Sequence, residues 1–158
     1  MADIRRISPD DWQLLKSARL AALLDAPYAF GSTYAEEEVM EESDWRERIE
    51  KFPWCVAVED GIGVGLIAIA NFPPKSHHEV ISMWVAPDSR WTNVASDLVS
   101  TIISWAKAEG LQEITLSVAE GNDRARRFYE KLGFTVTGNR KPLRSNPEIG
   151  IHELRKDI

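Results

Sequence analysis

Residues able to do chemistry fall in three stretches of this chain. The first, 89-SRWTNVASDL-98, stands where a loop should end and a helix begin, after the strand-like run 79-EVISMWVAP-87. Unpaired amides at a helix amino terminus, with the positive end of the helix dipole, attract an anion. Arg90 adds a guanidinium that can pair with phosphate. The amides of Val94, Ala95 and Ser96 are open to such a ligand, although Thr92 or Asn93 can cap the helix with its own oxygen and take one of them. The second stretch holds His77, His78 and Glu79. Neighbouring histidines on a strand face opposite ways, so no metal site is expected there. The Glu79 carboxyl is either a candidate general base or a solvated strand-end carboxylate. The third, 122-NDRARRFYE-130, offers Asn122 as a helix cap. Arg124, Arg126 and Arg127 either reach a phosphate or form a solvated face. Tyr129 keeps its phenolic proton at neutral pH and is either core or a proton donor.

These residues need elements to hold them. A strand at Asp3–Ile7 leads into Ser8-Pro9-Asp10-Asp11, a helix start, and Trp12, Leu15, Ala18 and Ala22 or Leu23 recur at helical spacing to about Leu24. The segment 25-DAPYAFGSTY-34 reads as a loop, followed by acids and a second helix from about Ser43 to Pro53. The runs 54-WCVAVED-60 and 63-GVGLIAIAN-71 are strands joined through Asp60-Gly61, a hairpin signal. A Pro73-Pro74 loop precedes the strand Glu79–Val85. A helix runs from about Asn93 to Glu109, with Val94, Leu98 and Ile102 on one stripe and Gly110 as its stop. The strand 112-QEITLSV-118 follows. In the last helix Ala125, Phe128, Tyr129 and Leu132 share a face, and Gly133 ends it. Strands near Phe134–Gly138 and Ile149–Arg155 close an order β-α-α-β-β-β-α-β-α-β-β, which fits an α/β (α+β) mixed sheet with helices on both faces.

The 158 residues amount to one ordinary domain, 1–158, with 44% hydrophobic content and no repeat or linker that would divide it. A net charge of −6 argues against nucleic acid or an anionic membrane as the main partner. The single cysteine, Cys55, excludes an intramolecular disulfide and a cysteine-based metal site. No apolar run approaches membrane-spanning length, and MADIRRISPDD has no hydrophobic signal core, so a cytoplasmic protein is expected.

Two segments, 84-WVAPDSRWTNVASDLV-99 and 117-SVAEGNDRARRFYEKLGF-134, resemble the GNAT superfamily of N-acetyltransferases. The second carries that superfamily's Asn-x-x-Ala-x-x-Phe-Tyr-Glu-Lys-x-Gly-Phe ending. The loop 27-PYAFGSTYAEE-37 is similar to that of bacterial members, and the element order matches over nearly the whole chain. The resemblance implies a six- to seven-stranded sheet whose fourth and fifth strands splay at a β-bulge into a V, where acetyl-CoA binds. Its pantetheine would pair with backbone at Met83, Trp84 and Val85, and its pyrophosphate with the turn from Arg90 to Ser96. The superfamily pattern Arg/Gln-x-x-Gly-x-Gly/Ala here reads Arg90-Trp91-Thr92-Asn93-Val94-Ala95, with asparagine at the central glycine and tryptophan at a position usually small. Asparagine tolerates left-handed backbone angles, so the turn can survive. One amide lost to capping would cost about 1.5–3 kcal/mol, roughly ten- to a hundredfold in affinity.

The resemblance further implies that Tyr129 protonates the departing sulfur. It makes Glu79, eleven residues before Arg90, comparable to the glutamate base of histone-acetylating members, against the plainer reading of a solvated strand-end carboxylate. It places Asn122 near pantetheine and Arg124 and Arg127 near the cofactor phosphates. Tyr28, Phe30, Trp45 and Trp84 are candidates for an acceptor pocket or for core, and Glu36–Glu38 for a flank that favours amines or a solvent-exposed run. The expected activity is acyl-CoA-dependent N-acyl transfer to a primary amine of a small molecule, peptide or protein, by direct attack rather than through Cys55. A homodimer through the last strands is compatible with it. The alternative is a GNAT-like domain with weak or no acyl-CoA binding that serves as a sensing or interaction module.

Overall fold

The computed structural model of the chain describes residues 2–71 and 78–158. The Pro73-Pro74 loop and His77 therefore lie outside the described residues. The elements are β1 (Asp3–Arg6), α1 (Trp12–Asp25), α2 (Tyr34–Glu38), α3 (Glu42–Lys51), β2 (Trp54–Glu59), β3 (Ile62–Asn71), β4 (His78–Val85), α4 (Val94–Ala108), β5 (Glu113–Ala119), α5 (Asp123–Lys131), β6 (Thr135–Leu143) and β7 (Asn146–Asp157). The short helix α2 was not expected. Its Tyr34-Ala35-Glu36-Glu37-Glu38 run is too brief to show an apolar period, and Thr33 starts it by accepting the Glu36 amide at 3.2 Å. The last two strands also run longer than their turn residues suggested, because they form a hairpin in which Pro142 sits on an outer strand, where a missing amide is tolerated.

Seven strands form one sheet in the order β1-β2-β3-β4-β5-β7-β6. Period-two alternation decides which helix each strand residue meets. Cys55, Ala57, Ile67 and Ile69 pack with α4 residues Leu98 and Ile102 on one face. Trp54, Val56, Leu66 and Ala68 pack with Leu15, Ala22, Trp45 and Ile49 of α1 and α3 on the other. The β2–β3 hairpin turns at Asp60 and Gly61, both at positive φ (52° and 77°), as the Asp-Gly pair implied. At Gly65 an added Cβ would lie 3.0 Å from Leu98 Cδ1 and 3.1 Å from the Trp84 carbonyl oxygen, so this glycine sets how closely α4 approaches the sheet.

Two features of β4 open the sheet. Among the described residues it pairs in parallel with β5 only at His78–Ile114 and Glu79–Thr115, beyond which, toward Val85, the strands part. Its pairing with β3 shifts between Leu66 and Ala68, which leaves Ser82 and Met83 opposite Ile67 in a bulge, with Ser82 at φ +60°. The result is the V-shaped split expected between strands four and five. Among the described residues no helix is long and apolar enough to cross a membrane, and no three metal-ligating side chains come together.

Candidate active site

The split holds two cavities. The first, about 660 Å³, lies between the β4 edge (Met83, Trp84, Val85), the loop before α4 (Ser89–Thr92) and the α5 side chains Arg124, Arg127 and Phe128. The second, about 740 Å³, lies beyond Glu79 and Ser82, under the β6–β7 turn. Both are bounded by Phe30, Met83, Asn122, Ala125 and Tyr129, so Tyr129 stands at their junction.

Tyr129 reaches that point because α5 is fixed at both ends. Asn122 Oδ1 accepts the Ala125 amide at 3.3 Å, and Gly133 turns the chain at φ +95°. The ring packs edge-to-face on Phe128 (5.2 Å) and Phe134 (5.7 Å) and is 7% exposed. Burial pushes its phenol well above the ordinary tyrosine value, so it holds its proton. The core and donor readings of Tyr129 are thus compatible: the ring is core and the side chain borders both cavities.

The loop before α4 differs from expectation in where its strain lies. Asn93 has φ −81°, whereas Trp91 is left-handed at φ +66°. Asn93 makes no side-chain cap; Thr92 does that work, its Oγ1 accepting the Val94 amide at 3.3 Å and donating to the Ser89 carbonyl oxygen. Val94, the first residue of α4, is buried, and Asn93, Val94 and Ser96 do not line the cavity, although Ala95 does. The first-turn amides of Ala95 and Ser96 still lack partners within the helix. Trp91, 86% exposed, stacks its indole against the Arg124 guanidinium at 3.9 Å across the cavity mouth.

Arg90 is not free for a phosphate. Its Nε donates to the Val85 carbonyl oxygen at 3.0 Å and its Nη2 to Asp25 Oδ2, which also accepts from Trp84 Nε1 at 2.9 Å. Asp25, at the end of α1, thus ties the loop to β4 and places a carboxylate on the cavity wall. Sequence reasoning missed it because nothing at the end of an amphipathic helix marks an acid for a partner so distant in the chain.

In the second cavity Glu79 accepts a hydrogen bond from Ser117 Oγ at 3.3 Å, just where β4 and β5 separate. Phe30 is buried and borders both cavities. Trp45 does not: it is fully buried between α1 and the sheet, which makes it core. Tyr28 projects from its loop, 67% exposed, and lines neither cavity. The acidic run is split as well. Glu36 pairs with Arg144 at 3.0 Å at the surface, while Glu37 is buried and receives Arg19 Nε and Nη2 (3.0 and 2.9 Å) and Arg48 Nη1 (2.7 Å). Burial alone would raise the Glu37 pKa; the hydrogen bonds and charge of Arg19, then of Arg48, outweigh it and hold the carboxyl down at about 2.

This buried cluster was not anticipated, and it supports the bulge. Arg19 Nη1 donates to Ser82 Oγ at 3.1 Å while its guanidinium lies over the Phe30 ring at 4.8 Å. The available signal was Arg19 itself, one turn after Leu15 on the buried stripe of α1, since a guanidinium there requires a partner. Cys55 is buried and its thiol pushed up by that burial, unsuited to carry an acyl group.

The model of the Acetyltransferase (GNAT) family matches residues 17–134. A GNAT-family acetyltransferase of Streptococcus pneumoniae superposes with a TM-score of 0.81 at 20% identity over 100% of both chains. The yncA protein of Salmonella typhimurium, solved with its cofactor acetyl-CoA, superposes with 0.80 at 18% identity, over 99% of this chain and 94% of that one. Among curated relatives, an N-acetyltransferase of Methanocaldococcus jannaschii is 28% identical over 95 residues, and the mycothiol acetyltransferase of Brachybacterium faecium 26% identical over 121. Those matches cover 57% and 71% of this chain but only 42% and 36% of the relatives' own length.

Proposed function

Because the chain belongs to the acetyltransferase (GNAT) family, we propose that it transfers an acetyl group from acetyl-CoA to a primary amine by direct attack. The observation that carries this reading is the meeting of two cavities at Tyr129. One is bounded by the unpaired β4 edge and a helix start, groups suited to amides and phosphates; the other is bounded by Glu79.

The bound thioester supplies an acyl carbon to which the amine nitrogen bonds as the C–S bond breaks, giving an amide and free CoA. The β4 backbone from Met83 to Val85 orients the donor, and the Ala95 and Ser96 amides with Arg124 and Arg127 hold its phosphates. Glu79, directly or through a water, takes the proton that the amine loses, and Tyr129 gives the departing sulfur its proton. Glu79 then releases its proton to solvent as the tyrosine recovers one, so that none is gained or lost overall. Asn122 keeps the start of α5, and hence Tyr129, in place. The exposed outer strand β6 is the surface through which a homodimer would form.

Titrating the protein calorimetrically with acetyl-CoA and with CoA tests the reading, with micromolar binding of both expected. No heat at millimolar ligand would overturn it. That outcome would favour a non-catalytic sensing or interaction module, a reading motivated by Arg90 being tied to Asp25 and by the Val94 amide being given to Thr92.

A further inference from the structure

The second cavity is basic, in a chain whose net charge is −6. Arg19, Arg48, Lys141 and Arg144 line it, and Glu79 is its only carboxylate among the described lining residues. These cations are not equally committed. Arg19 is fully used by Glu37 and Ser82. Arg144 is held by Glu36 and by the Gly31 carbonyl oxygen. Arg48 gives Nη1 to Glu37 and rests on the Trp45 ring at 4.8 Å, which leaves Nε and Nη2 without an acceptor among the described residues. Lys141, on β6, has no ion-pair partner among them.

Two cations with unused donors, Arg48 through Nε and Nη2 and Lys141 through Nζ, thus enter the cavity from α3 and β6, while its one carboxylate among the described lining residues, Glu79, sits at the apex of the split. A polyamine or a lysine-rich peptide would bring like charge against Arg48 and Lys141. A molecule with an amine at one end and a carboxylate at the other would satisfy both ends, because a guanidinium fork matches a carboxylate. The volume of about 740 Å³ suits a small molecule. We propose that the acceptor is an amino-acid-like compound whose amine faces Glu79 and Tyr129 and whose carboxylate is held by Arg48 and Lys141. This rests on the acyl-transfer reading above.

The test pairs free amino acids with their C-terminal amides, which keep the amine and lose the charge; spermidine and a lysine-rich peptide serve as cationic probes. Two readouts are taken: acetylation with acetyl-CoA, and calorimetric binding of each probe to the CoA-loaded protein. Free acids are expected to exceed their amides by about tenfold or more in both kcat/KM and affinity. Arg48→Gln and Lys141→Gln should each bring that ratio toward one, and Lys141→Gln, outside the buried Glu37 cluster that supports the bulge, should leave acetyl-CoA binding unchanged. Lys141 is exposed and has no ion-pair partner among the described residues, so its variant keeps the test sound if Arg48→Gln unfolds. A preference for amides or cationic probes, no free acid bound or acetylated, or an unchanged ratio in the Lys141 variant would each overturn the proposal. Wild-type protein that fails to bind acetyl-CoA takes down the acyl-transfer reading as well; acetyl-CoA binding without acid preference takes down this one alone.

Discussion

Tyr129 and Asn93 show how differently single side chains were readable. Tyr129→Phe removes one oxygen from a ring already held by Phe128 and Phe134, so the fold and the cleft should be unchanged. Turnover is expected to fall about a hundredfold, the usual scale for a positioned acid, with acetyl-CoA affinity preserved; steady-state kinetics beside calorimetry check this, and undiminished turnover refutes the donor role. For Asn93 the motif suggested that a missing glycine weakens the turn. Its backbone is right-handed, however, and the left-handed residue is Trp91. Asn93→Gly should therefore not tighten cofactor binding and should cost only a few tenths of a kcal/mol in helix stability. Tightening of tenfold would contradict that geometry. A tryptophan at positive φ is not legible from sequence, because no local propensity favours it. It persists because neighbouring contacts fix the loop: Arg90 on Val85 and Asp25, Thr92 on Ser89, and Arg124 against the indole.

Among the elements, the best-read were those whose own residues carry both period and caps. Helix α5 declared itself by Asn122, its apolar stripe and Gly133, and the β2–β3 hairpin by Asp60-Gly61. What stayed hidden depends on pairs far apart in sequence. The clamp on the β4 bulge joins Arg19 of α1, Glu37 of α2, Arg48 of α3 and Ser82 of β4, and no local pattern links them. Glu37→Gln would leave two arginines near the core with no counter-charge, at a cost of about 3–5 kcal/mol by analogy with broken buried pairs. The effect should reach the cofactor as a raised KM for acetyl-CoA, because the bulge sets the β4 edge. The pH dependence has a definite sign. The Glu37 carboxyl lies near 2 in the folded protein against an ordinary 4.5, so its contribution is whole above 4.5 and is lost as pH falls toward 2. Denaturant melts between pH 7 and pH 3 should show wild type losing stability below about 4.5. The Gln variant, weaker throughout, should lose less over that interval; parallel losses would remove Glu37 from the account.

As a whole, the molecule is one sheet weakened at its middle. Among the described residues the β1–β4 half and the β5–β7–β6 half share two paired positions in the ladder, and both cavities occupy the gap. A ligand spanning β4, the α4 amides and α5 touches both halves, so its binding should stabilise the global fold and quiet the split locally. With acetyl-CoA at a hundred times its Kd, linkage gives about 2.7 kcal/mol, which for a chain of this size raises Tm by roughly 5–10 °C. Hydrogen exchange separates this from general stiffening. Amides of Val80–Val85 on the open β4 edge and of Ala95 and Ser96 at the start of α4 should slow strongly, whereas those of β1 and β2, away from the gap, should change only with global stability. If the melting point rises while the β4 and α4 amides exchange as before, acetyl-CoA binds elsewhere and the split is not its site.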